Sequence, residues 1–167
     1  AASDVYKRQG IHMGLMTKIG ISIDGFTPAS AIADQARAAE NGGVEKLWIA
    51  THLYLRDPVT LAATALAATT RIKIALMAMS PYSIHPIYVA MAATTLSELH
   101  PGRIILSLGV GAPGDLAAAG IETPRPLQFL EETIDICRGL FAFVVRCAQA
   151  GGIAALPVWR ILGLESL

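Results

Sequence analysis

From Lys18 onward, short unbroken apolar runs alternate with longer stretches in which apolar residues recur every three or four positions. A continuous run marks a strand buried on both faces, and the longer period marks a helix packed on one side. Four cycles follow. The first strand is Lys18 to Ile23, and the helix after it, capped by Thr27 and opened by Pro28, carries Ile32, Ala36 and Ala39 on one face until Gly42-Gly43 end it. The second strand, Lys46 to Ala50, leads to Asp57-Pro58, a cap and first-turn pair for a helix bearing Leu61, Ala65 and Ala68. The third strand is Ile72 to Leu76; Pro86 then opens a helix on which Tyr88, Ala92, Thr95 and Leu99 align, and His100-Pro101-Gly102 stop it. The fourth strand, Arg103 to Leu108, precedes a Gly-rich loop and a helix from about Pro126 with Leu127, Leu130, Ile134, Cys137 and Phe141 in one stripe.

Strand starts at positions 18, 46, 72 and 103 are spaced like successive βα units, so the sheet is expected to be parallel. Loops after helices are short. Loops after strands, at 50–56, 77–84 and 109–124, are long and hold the reactive side chains, which puts any site at the C-terminal edge of the sheet.

Composition narrows the partners. Of 167 residues 53% are hydrophobic and 16% charged, and 13 basic residues balance 13 acidic ones, so no basic field for nucleic acid or for a membrane surface exists. Mean hydropathy is +0.51, yet Arg71, Lys73, Pro81, His85, Pro86, Arg146 and Arg160 interrupt every long apolar stretch, which argues against a membrane span. Two cysteines form no disulfide framework, and a reducing cytoplasmic setting is the expectation. Residues 1–12, mostly polar at their start, read as a non-native leader, and residues 143–167 as a divergent tail of the kind a frameshift leaves.

Gly109-Val110-Gly111-Ala112-Pro113-Gly114 matches the dinucleotide fingerprint literally, but Pro113 and Gly114 are expected to interrupt the turn and delay the helix. An open nucleotide-binding sheet therefore stays an alternative, as does a noncatalytic α/β half-barrel assembly module; strand order separates the first from a barrel segment. His52, directly after the second strand, can trade a proton near neutral pH or make an ordinary loop hydrogen bond. Ser80 can meet a ligand or close a local turn. Asp57 reads as a helix cap, His85 and His100 as helix-end residues and Cys137 as a packed one, and no metal-ligand spacing occurs.

Four segments, Leu47-Trp-Ile-Ala-Thr-His-Leu-Tyr-Leu-Arg-Asp-Pro58, Ser80-Pro-Tyr-Ser-Ile-His-Pro86, Leu96-Ser-Glu-Leu-His-Pro-Gly-Arg103 and Leu106-Ser-Leu-Gly-Val-Gly111, together resemble the luciferase-like monooxygenase superfamily of flavin- or coenzyme F420-dependent oxidoreductases. The resemblance covers residues 18–142. It implies an α/β fold, a partial TIM (β/α)8 barrel comprising the first four βα units, with the cofactor ring at the C-terminal mouth. By resemblance His52 is the catalytic histidine beside the ring, Met77 and Ala78 form a bulge with a non-proline cis peptide backing it, Ser80 contacts the cofactor, and Gly109 and Gly111 bring backbone close to it. Thr51 stands where the family usually has an acid, and Ala112 where sugar-phosphate-oxidising members have one. The cofactor is F420 or FMN; Ser80-Pro81-Tyr82 and Ala118-Ala119-Gly120-Ile121 resemble the methylenetetrahydromethanopterin reductase branch and lean toward F420. The substrate is then a small organic molecule, the isolated half barrel is expected to be inactive, and its free sheet edges invite homo-oligomerisation.

Overall fold

The computed structural model describes residues 19–149, with side-chain surroundings to residue 146. Four strands, β1 (Gly20–Ile23), β2 (Lys46–Ala50), β3 (Lys73–Met79) and β4 (Ile104–Leu108), form one parallel sheet in the order β1-β2-β3-β4. Sequential order means that each crossover moves one strand along in the same direction, as in a barrel wall, and there is no reversal about β1. The crossovers are α1 (Ile32–Asn41), α2 (Pro58–Ala68) and α3 (Pro86–Leu99); α4 (Pro113–Ala118) and α5 (Pro126–Gln149) follow β4. The expected strand start at Lys18 lies outside the described residues.

Register sorts the sheet into two faces. Ile23, Ile49, Leu76 and Leu106 lie side by side in one row and face the helices, where Ile23, Ile49 and Leu76 join Leu47, Ile74, Ile32, Leu61 and Leu66 in the core. The next row, Ser22, Trp48, Ala75 and Ile105, points to the opposite face, because successive side chains alternate. No described helix packs on that face, and every residue of β4 is only half-buried.

Several local expectations are corrected. Thr27 does not cap a helix: Asp24 Oδ1 accepts the Phe26 amide at 3.0 Å and the Thr27 amide at 3.2 Å, and a 3-10 turn at Ala29–Ala31 comes before α1. An Asx turn has taken the donors that a cap would have served. The third strand runs on to Met79, because a bulge rather than a loop follows Leu76: Met77 and Ala78 together lie opposite the single Ser107 of β4. On α3 the buried residues are Pro86, Val89, Ala90, Ala93 and Leu96, so the stripe of Tyr88, Ala92, Thr95 and Leu99 faces outward. Leu127 is likewise exposed, while Cys137 is buried on α5.

The other helix ends read from sequence agree with the structure. Asp57 accepts the Thr60 amide at 2.7 Å, His85 Nδ1 accepts the Ile87 amide at 3.2 Å, and Gly43 and Gly102 take positive φ beyond the ends of α1 and α3.

Two side chains lock the N-terminal end of the sheet. Arg103 donates to the carbonyls of Ile72 (3.0 Å) and Thr69 (2.9 Å) and to Thr69 Oγ1 (2.6 Å), tying the end of α2 to β4. Glu40, on the last turn of α1, accepts the amides of Thr70 at 3.1 Å, Arg71 at 2.5 Å and Ile72 at 2.9 Å. Burial pushes its pKa up, but the three amides and the Arg71 charge outweigh that and hold the carboxyl at about 2, against an ordinary 4.5. A depressed carboxyl pKa stabilises the fold fully above pH 4.5 and progressively less as pH falls toward 2. Glu40→Gln is expected to cost about 1 to 2 kcal/mol at pH 7 and to flatten this acid dependence, as read by urea unfolding at pH 7 and pH 3. An unchanged acid slope in the variant contradicts the assignment.

Candidate active site at the C-terminal edge of the sheet

The ends of β2, β3 and β4 converge on the bulge. The peptide between Met77 and Ala78 is cis, Thr51 donates its amide to the Met77 carbonyl at 2.7 Å, and Gly109 donates its amide to the Met79 carbonyl at 3.0 Å. The bulge is thus bonded to the strand ends on both sides. A Cβ on Gly109 would sit 3.0 Å from Ala78 Cβ, so at this position a side chain would crowd the bulge itself.

Ser80 is 3% exposed. Its hydroxyl donates to the Val110 carbonyl at 3.1 Å and accepts the Tyr82 amide at 3.3 Å, which is the local-turn role open to it from sequence, extended into a tie to the β4 loop. Gly111 has φ +84°, and a Cβ there would lie 3.0 Å from both Ser80 Oγ and Leu116 Cδ1. Backbone conformation and close packing both require glycine here.

These residues line a cleft of about 30 Å³ bounded by Thr51, Leu53, Ala78, Ser83, Asp115 and Leu116 as well as Ser80 and Gly111. That volume is about that of one water molecule. Larger clefts, of about 320 Å³ along β1 and α1 and about 410 Å³ at the N-terminal end of the sheet, are remote from the bulge. Of the residues singled out from sequence, Ala78, Ser80 and Gly111 line the cleft, and Gly109 supports it through Ala78. Met77 is 36% exposed on the bulge. His52 sits between the cleft residues Thr51 and Leu53, is exposed, and its imidazole makes no hydrogen bond among the described residues. Sequence reading missed Leu53, Ser83, Asp115 and Leu116 as lining residues. The last two lie on α4, which starts at Pro113 inside the Gly-rich run rather than being delayed by it; proline in the first turn of a helix was the available signal.

Two tyrosines brace the rim. Tyr54, at φ +67°, donates its hydroxyl to the Asp115 carbonyl at 3.2 Å, and Tyr82 donates to the Pro124 carbonyl at 2.5 Å while stacking on Phe129 with centroids 5.1 Å apart. The loop after β2 is thereby held to α4, and the loop after β3 to the segment before α5.

Residues 11–147 match the family model described as luciferase-like monooxygenase. The chain belongs to this family of oxidoreductases. It is 32% identical over 123 residues to the 5,10-methylenetetrahydromethanopterin reductase of Methanolobus tindarius, a match covering 74% of this chain and 38% of that one. Among solved structures, the coenzyme F420-dependent tetrahydromethanopterin reductase of Methanopyrus kandleri superposes with TM-score 0.60 at 28% identity, over 65% of this chain and 31% of that one. The FMN complex of the oxygenating constituent of 3,6-diketocamphane monooxygenase from Pseudomonas putida gives 0.59 at 27% identity, over 65% of this chain and 33% of that one. The sheet is a four-unit part of the TIM-barrel fold of these enzymes, and the chain spans about a third of their length. Among the described residues, no helix is long and apolar enough to cross a membrane, and no group of His, Cys, Asp and Glu side chains is arranged to hold a metal ion.

Gly111→Ala is expected to destabilise the chain by about 1 to 2 kcal/mol through its positive φ and the Ser80 contact. Gly114→Ala, where an added Cβ meets nothing within 4 Å, is expected to be neutral or stabilising. Thermal melting of the pair checks this; equal effects contradict it.

Proposed function

We propose that the chain is the part of a flavin- or F420-dependent oxidoreductase that supplies one wall of the cofactor site, in an enzyme acting on a small organic substrate. The observation that carries this reading is the cleft at the strand ends, where the Met77–Ala78 bulge is flanked by Gly109 and by the Ser80–Gly111 contact. The residues present fit one side of a flat ring. Leu53, Ala78 and Leu116 offer apolar surface, Thr51, Ser83 and Asp115 offer polar groups at its margin, and glycines keep side chains off the backbone. A ligand site normally measures some 300 to 1,000 Å³, so this wall needs an opposite one.

When bound, the isoalloxazine or deazaflavin ring supplies the hydride chemistry. The protein's part is positional and protic. Ser80 acts as a positioning residue: its bonds to Val110 and Tyr82 fix the bulge against the Gly-rich loop. His52 stands at the rim with neither ring nitrogen hydrogen-bonded among the described residues, and its role is to exchange a proton with the substrate or to polarise it. Similarity to the coenzyme F420-dependent tetrahydromethanopterin reductase of Methanopyrus kandleri supports F420 over FMN. Because one wall buries at most about half of a ligand that a full site buries by 70 to 90%, the chain alone is catalytically silent.

Fluorescence titration of the purified chain with F420 and with FMN tests the wall. Dissociation constants above roughly 100 µM are expected, F420 binding the tighter; sub-micromolar affinity for either overturns the one-wall reading. The role of His52 is checked in a full-length relative carrying the matching histidine. Its replacement by alanine should lower kcat by about 100-fold or more, whereas unchanged turnover rules the role out.

A further inference from the structure

The side chains lining the cleft at the bulge offer acceptors and no donor. A hydroxyl carries a single proton to donate, and each hydroxyl on the cleft has given its proton to the protein. Thr51 Oγ1 donates to Met79 Sδ at 3.5 Å, Ser80 Oγ to the Val110 carbonyl at 3.1 Å, and Ser83 Oγ to the Ser80 carbonyl at 3.2 Å. The rim tyrosines are committed in the same way, Tyr54 to the carbonyl of Asp115 and Tyr82 to that of Pro124. What the hydroxyls of Thr51 and Ser83 still present is lone pairs. Asp115 is the one charged residue of the lining, it is half-buried, and its side chain has no hydrogen bond or ion pair among the described residues. Its place in the first turn of α4 suits a negative charge, and because Tyr54 bonds its carbonyl, the carboxylate is left uncommitted.

We infer that this cleft is a subsite for a nitrogen donor of the substrate, a primary ammonium or amino group, and that Asp115 selects it. That the group belongs to the substrate rests on the function proposed above; that the cleft holds such a group rests on its acceptors. An N–H donated to the carboxylate makes a charge-assisted hydrogen bond, and the hydroxyl oxygens of Thr51 and Ser83 are the acceptors beside it. The cleft measures about 30 Å³, the volume of one water molecule and of an ammonium head of the same size. A carboxylate or phosphate in its place would meet like charge and lone pairs with no side-chain donor between them, so the same residues that admit an amine reject an anion. The group is held there and is not transformed.

Backbone amide shifts of the full chain, titrated separately with methylammonium, tetramethylammonium and acetate, test the subsite. Methylammonium should shift Thr51, Ser83, Asp115 and Leu116 with a dissociation constant on the order of 10 mM, near the ceiling for so small a ligand. Tetramethylammonium, which has the charge without the N–H, and acetate should leave these residues unmoved at equal ionic strength. Asp115→Asn should weaken methylammonium by about 10-fold or more, and Asp34→Asn on α1 should not. Absence of methylammonium shifts at the cleft, an equal response to tetramethylammonium, or an unchanged affinity in Asp115→Asn overturns the proposal; the tetramethylammonium comparison decides it without any substitution. Millimolar F420 or FMN added to the amine-bound chain separates the sources of the donor: an amine that stays bound supports the substrate, and a displaced one overturns that assignment in favour of the cofactor's own N–H. Amine shifts with no cofactor shift at Ala78 or Gly109 support the subsite and overturn the proposed function, and the reverse pattern overturns the subsite alone.

Discussion

Parallel strand direction is the constraint on which the rest of the molecule depends. Strands that all run one way require a crossover each, the crossovers are helices, and all strand C-termini gather at one edge. That edge receives the long loops, and with them His52, the Met77–Ala78 bulge and the Gly109–Gly111 turn. The opposite edge receives the short returns, and there Glu40 and Arg103 saturate the backbone groups that tight turns leave unpaired. Stability and chemistry are thereby separated by the length of the strands.

The same constraint leaves work undone. A parallel sheet is stable when both faces are covered, and the described helices cover only one. The row of Ser22, Trp48, Ala75 and Ile105 faces the side where a closed barrel would place its interior, and β4 stays half-buried along its length. The small cleft at the bulge lies at the edge of that uncovered face: its lining comes from Ala78 of β3, from the segments that follow β2, β3 and β4, and from α4.

Much of this architecture was legible in the sequence, because unbroken apolar runs and proline or aspartate starts report directly on parallel strands and helix N-termini. Asp57, His85, Gly43 and Gly102 do what their residue types suggest. Thr27 does not, since Asp24 two and three residues upstream of the competing donors is geometrically better placed. The stripe of Tyr88, Thr95 and Leu99 misled for a physical reason: on a helix apolar all round, periodicity has no phase, and only packing shows that Val89, Ala93 and Leu96 are the inward residues. The site was partly readable. Ala78 came from the family resemblance and Gly111 from the Gly-rich loop, but Asp115 and Leu116 depend on α4 beginning at a proline that read as an interruption, and the commitment of Ser80 to Val110 depends on a bulge whose register cannot be read from one strand.

In the proposed function the bulge and its two supporting glycines are a cofactor surface rather than only a well-packed strand end. Backbone amide chemical shifts, followed by nuclear magnetic resonance while F420 or FMN is added at millimolar concentration, test it most directly, since they report weak contact residue by residue. The largest shifts are expected at Ala78, Ser80, Gly109 and Gly111, with the clefts beside β1 and beside Lys46 and Lys73 unperturbed. Shifts confined to those clefts, or none at the bulge, would contradict it.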